Sequence, residues 1–172
     1  PQDPRHLLLG NDGGIYISRD RGESWLWQSN VPVMQLYTVS VDMQEPFYHV
    51  YGGTQDNGSM GGPSGTRYTD GIANEDWYRT SGGDGFFVQI DPEDPTIVYS
   101  ESQYGRLVRF DTVTGEAKRI QPAQPEDGKY RWNWSSPIHI SRYGNETLYF
   151  AANVVFKSPD RGDSWEVISP DL

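Results

Sequence analysis

Apolar and polar residues alternate along much of this chain in runs of about five, and Gly, Pro, Asn and Asp separate the runs. "YTVSVD" (37–42), "FFVQIDP" (86–92) and "PIHISR" (137–142) show the alternation most clearly. A period of two predicts half-buried β-strands, whose successive side chains point to opposite faces. Four further segments read as an apolar strand, a small or polar turn and a second strand: "HLLLGNDGGIYIS" (6–18), "YHVYGGTQDNGSM" (48–60), "TIVYSESQYGRLVRF" (96–110) and "TLYFAANVVFKS" (147–158). No long stretch keeps a 3.6-residue apolar period. The 19 Gly and 12 Pro break the chain too often for helices.

These segments repeat. Aligned on Leu9, Tyr51, Tyr99 and Tyr149, they lie 42, 48 and 50 residues apart. Short strands, frequent turns and a period of about 40–50 residues predict an all-β chain, a β-propeller of four-stranded antiparallel blades. We letter the strands of a blade A (innermost) to D (outermost). The expected blades span about 6–30, 36–80, 85–122 and 137–169, and the first lacks its innermost strand. The 172 residues are therefore expected to form one partial ring of about four blades, excised from a longer propeller protein. Remaining blades or a second copy are expected to cover the open edges, because an unpaired blade edge invites another chain.

"SRDRGESW" (18–25) and "SPDRGDSW" (158–165) are identical at six of eight positions. Their tryptophans lie 140 residues apart, three repeats of about 47. Asp and Ser side chains can hydrogen-bond local amides, Gly can take a positive φ, and Trp can open a buried strand. The pattern resembles the Asp-box, or bacterial neuraminidase repeat, usually written S-x-D-x-G-x-[ST]-W. Ser18, Asp20, Gly22, Ser24 and Trp25 fill it once; Ser158, Asp160, Gly162, Ser164 and Trp165 fill it again. With "GGTQDNG", "DPEDPTIVYSESQYGRLVRFD" and "RWNWSSPIHIS", the chain is similar to secreted bacterial Asp-box proteins, glycosyl-hydrolase-like or sortilin-like. The resemblance implies that both motifs are structural C–D turns. It also implies that ligands meet the opposite face, where B–C turns and D–A connections gather.

Composition narrows the function. A net charge of −10 with no basic patch argues against nucleic acid as a partner. No apolar run is long enough to span a bilayer. With no cysteine, thiol catalysis and disulfides are excluded. His6, His49 and His139 show no metal-ligand spacing, and no nucleotide- or cofactor-binding motif occurs, so neither metal nor cofactor is expected. The resemblance places the chain outside the cytoplasm, secreted or periplasmic, with any signal peptide lying outside these residues.

The B–C and D–A connections carry the candidate chemistry. Glycosidases generally use two carboxylates, and Asp12, Asp56 and Asp84 are the candidate catalytic residues, with Glu101 and Asp127 on the same connections. Each Asp also fits a turn cap, as Asp-Gly and Asp-Asn sequences commonly are. Trp132 and Trp134 are alternate residues whose rings could form platforms for a sugar or pack between blades. Gln55, Tyr104 and Arg131 complete the candidate ligand-binding set. Two function classes follow: a segment of a possible glycoside hydrolase acting on or binding polysaccharide, inactive alone, or a non-catalytic sortilin-like binder of peptide or protein. A structural scaffold is the third.

Overall fold

In a computed structural model the chain is all-β and forms two compact units, Pro1–Met34 and Gln35–Leu172. The structure describes every residue except 1–2, 12, 30–33 and 144–146.

The first unit is an antiparallel sheet of β1 (Leu7–Asn11), β2 (Gly14–Ser18) and β3 (Leu26–Trp27), paired in chain order. The second unit holds three sheets of four strands, each an antiparallel meander. They are β4 (Leu36–Val41), β5 (His49–Thr54), β6 (Gly58–Pro63) and β7 (Tyr78–Ser81); β8 (Gly85–Ile90), β9 (Ile97–Ser102), β10 (Arg106–Asp111) and β11 (Ala117–Arg119); and β12 (Ile138–Ile140), β13 (Leu148–Ala151), β14 (Val155–Ser158) and β15 (Glu166–Val167). Four antiparallel sheets, the first with three strands, agree with the all-β, partial-propeller fold expected from the repeat.

Alternation puts opposite faces of each sheet to different uses. On β9, Val98 and Ser100 turn toward the second sheet, where Val98 packs with Tyr51 and Val88, and Ser100 Oγ lies 2.7 Å from Thr80 Oγ1. Tyr99 and Leu107 turn the other way and join Ile138, Leu148, Phe150 and Phe156 of the fourth sheet in the largest apolar cluster. The second and third sheets approach closely. A Cβ on Gly53 would sit 2.1 Å from the carbonyl carbon of Gly85, so glycine is required where these backbones meet.

Each A–B corner of the second unit closes in the same way. Asp42, Asp91 and Ser141 donate their amides to the carbonyls of His49, Ile97 and Thr147. At the first two corners the carboxylate is buried.

The two S-x-D-x-G-x-S-W turns join strands C and D of their sheets and are built alike. Ser18 Oγ donates to Asp20 Oδ1 at 2.8 Å and accepts the Gly22 amide at 2.8 Å; Asp20 Oδ1 in turn accepts the Ser24 amide at 2.9 Å. Ser158, Asp160, Gly162 and Ser164 repeat these bonds at 2.8 Å each. The hydroxyl and amide of the second Ser, with the first Ser, hold each Asp ionised down to about pH 2. The carboxylates are wholly engaged in shaping the turn.

Strand registers correct one alignment. Leu7 pairs with Ser18 as Leu148 pairs with Ser158, so Leu8, not Leu9, is the counterpart of Tyr149. The three consecutive leucines 7–9 carry no alternation, and only the serine opening the turn sets their register.

Candidate ligand-binding face

The meander topology brings the B–C turns and D–A connections of the second unit to one end of its sheets, and the C–D turn 159–165 to the other. The B–C turn between β5 and β6 is held from several sides. Asp56 takes a positive φ of 63°, and its amide donates to Asp84 Oδ1 at 2.7 Å. Thr54 Oγ1 donates to the Gly58 carbonyl at 2.9 Å, and the Arg79 guanidinium donates to the Asn57 carbonyl at 3.0 Å. Asp84 is only 7% exposed. It is a turn-holding residue, as its place before Gly85 also allowed, and not an open catalytic carboxylate. Asp56 itself is exposed. Asp12 lies outside the described residues.

Beside this turn runs a row of aromatic rings. Tyr37 stacks on Phe86 with centroids 5.1 Å apart, Phe86 meets Trp134 edge-on at 6.4 Å, and Trp134 meets Tyr104 edge-on at 5.1 Å. Tyr37, Trp134 and Tyr104 are 44%, 47% and 57% exposed, a large apolar area for solvent to see. The row is anchored: Tyr37 donates its hydroxyl to Gln55 Oε1 at 2.9 Å, the Tyr104 amide donates to the Trp134 carbonyl at 3.3 Å, and Gln121 Nε2 donates to the Tyr104 carbonyl at 3.0 Å. Tyr37 and Phe86 lie outside the candidate set read from the sequence. Their strand alternation was visible, but their convergence with Trp134 needed the fold.

Trp132 and Trp134 part company. Trp132 packs against Phe150 (5.0 Å) and stacks on Phe156 (5.5 Å), and a Cβ on Gly105 would lie 2.2 Å from its ring. It belongs to the core between the third and fourth sheets and does not face a ligand. Arg131 is exposed but paired: its guanidinium donates to Asp171 at 3.0 Å, and its amide donates to Asn153 Oδ1 at 2.8 Å. It ties the 121–136 connection to the end of the chain. Gln55 and Tyr104 remain at the face.

Glu101 lies beneath it, fully buried. Its Oε1 accepts the Ser136 amide at 2.9 Å, the Phe87 amide also favours the ionised form, and Glu101 Oε2 has no hydrogen-bond partner among the described residues. Burial pushes its pKa up to about 8, outweighing both amides. The group is a buried tie between β9 and the start of the fourth sheet, closed to solvent. Asp127 is exposed in the connection that follows the third sheet.

A cavity of about 400 Å³ lies at the opposite end, near residues 160–163. Its cations are each paired: Arg161 with Asp91 at 2.8 Å, and both Lys118 (2.7 Å) and Arg109 (3.1 Å) with Asp163. Among the described residues no group of three His, Asp or Glu is placed to hold a metal ion, and no helix is long and apolar enough to cross a membrane.

No family model matches the chain, and no curated protein matches it. Solved structures do. A GH74 xyloglucanase from Xanthomonas campestris matches with a TM-score of 0.53 at 18% identity, over 100% of this chain and 29% of that one. An auxiliary nutrient binding protein from Bacteroides thetaiotaomicron matches with a TM-score of 0.51 at 11% identity, over 100% of this chain and 40% of that one. The GH74 enzyme of Niastella koreensis matches with a TM-score of 0.51 at 12% identity, over 96% of this chain and 28% of that one. This chain thus spans well under half the length of each. At such identities the likeness is one of fold, and it agrees with the sheets and turns described above: the chain is an all-β segment of β-propeller type.

Proposed function

We propose that the end of the second unit bearing Tyr37, Trp134 and Tyr104 binds polysaccharide. The row of exposed, anchored rings carries this reading. Pyranose rings present flat C–H faces that pack on aromatic rings, and Gln55 and Asp56 beside the row offer hydrogen-bonding groups for sugar hydroxyls. A xyloglucanase and a nutrient binding protein among the similar structures support a carbohydrate-related role. The two S-x-D-x-G-x-S-W turns support placing the chain with Asp-box proteins that work outside the cytoplasm, where polysaccharide is met.

Binding is better supported than hydrolysis. A glycosidase needs two working carboxylates, and Asp84 is buried and committed to the Asp56 amide. Calorimetric titration with xyloglucan and with unsubstituted β-glucan tests the proposal. Binding of either, weakened about tenfold or more by Trp134→Ala or Tyr104→Ala, is the expected result. Retention of extended peptides and of neither glycan would replace it with the sortilin-like, peptide-binding reading.

A further inference from the structure

The first and fourth sheets carry the same turn and the same register, so their faces can be compared residue by residue. Leu7, Leu9 and Tyr16 of the first sheet stand where Leu148, Phe150 and Phe156 stand in the fourth. Arg21, Glu23 and Trp25 stand where Arg161, Asp163 and Trp165 do. In the fourth sheet this face is covered by the third. Leu148, Phe150 and Phe156 are buried, Trp165 Nε1 donates to the Ile120 carbonyl at 2.7 Å, Arg161 reaches the buried Asp91, and Asp163 pairs with Arg109 and Lys118. In the first sheet Leu7, Leu9 and Trp25 are 37%, 41% and 42% exposed, and Arg21 and Glu23 are exposed too.

We propose that this face of the first sheet seats a further propeller blade from outside these 172 residues, one built like the third sheet. Arg21 and Glu23 specify its chemistry. Arg21 has the same left-handed backbone as Arg161, with φ values of 65° and 57°, and calls for a buried aspartate at the blade's A–B corner. Glu23 calls for a cation on its outer strands. The blade therefore carries an Asp eight or nine residues before a strand tyrosine, as Asp91 precedes Tyr99 and Asp42 precedes Tyr51.

The chain's own corners do not meet this demand. Asp91 is engaged by Arg161, and Asp42 accepts the amide and the ring Nδ1 of His49, at 2.7 and 2.9 Å. In a second copy, the fourth sheet offers Lys157 where the third has Arg109, but its corner residue is Ser141, which gives Arg21 no carboxylate. Head-to-tail assembly of copies thus satisfies Glu23 and leaves Arg21 unmatched.

The test is photo-cross-linking of the full-length gene product, with a benzophenone amino acid in place of Glu23, followed by mass spectrometry. The expected adduct lies on the outer strands of a blade outside residues 1–172 whose A–B corner carries the Asp-to-Tyr spacing. Arg21→Asp should lower its yield about a hundredfold, and the reciprocal Asp→Arg change in the partner blade should restore it, which mere loss of folding would not allow. An adduct on residues 137–169 of a second copy, or no adduct, would overturn the proposal.

Discussion

Asp84 Oδ1 accepts the backbone amide of Asp56 at 2.7 Å. Two carboxylates that looked like a catalytic pair are therefore joined side chain to backbone, and one fixes the conformation of the other's turn. Asp84→Ala leaves a strained amide without its acceptor and should destabilise by about 1–3 kcal/mol. Asp56→Ala, which keeps the amide, should cost less. Urea denaturation of both variants checks the ordering; equal losses would mean that Asp84 does not hold the turn.

The Asp91–Arg161 pair bolts the fourth sheet to the third. Removing either partner should cost about 3 kcal/mol, the low end for a buried pair, because Arg161 keeps 27% of its side chain in water. Burial alone would raise the Asp91 pKa, but Arg161, the Glu93 and Asp94 amides and the Tyr99 hydroxyl outweigh it, and the pKa falls below the ordinary 3.8. A carboxylate lowered in the folded state stabilises fully above its unfolded pKa. That stability is lost as pH falls through the folded value. Below about pH 4 the wild-type Tm should therefore fall more steeply with falling pH than that of Asp91→Asn.

Glu101 works in the opposite sense. Its folded pKa is about 8 against an ordinary 4.5, so the folded chain holds a proton that the unfolded chain releases between those values. Its contribution is greatest below pH 4.5 and declines as pH rises toward 8. Glu101→Gln keeps the shape and removes the titration. The variant should melt higher than wild type at pH 8 and within a degree or so of it near pH 5. A pH-independent difference would refute a protonated Glu101.

The twin tryptophans should separate. Trp165 packs into the main cluster and donates to the Ile120 carbonyl, so Trp165→Ala should cost about 3–5 kcal/mol. Trp25, 42% exposed in the first sheet, should cost about 1–2 kcal/mol in the 172-residue chain. Differential scanning calorimetry reads both, and equal costs would show that Trp25 is covered.

The strands, their order and both repeated turns were legible in the sequence because their causes are local. Alternation of period two needs only adjacent side chains, and every bond within the Ser18–Asp20–Gly22–Ser24 turn spans four residues or fewer. What the rings and carboxylates do depends on residues far along the chain. Trp132 and Trp134 share a tripeptide and an expected role, yet Gly105, with no side chain, opens a slot that takes only Trp132. Tyr37 and Phe86, on two different sheets, meet Trp134 of the 121–136 connection, and Asp84 is occupied by an amide 28 residues away. The sequence by itself determined the blades and the turns that shape them. The tertiary structure alone decided which polar and aromatic groups face water, because inter-sheet packing, not local bonding, sets exposure.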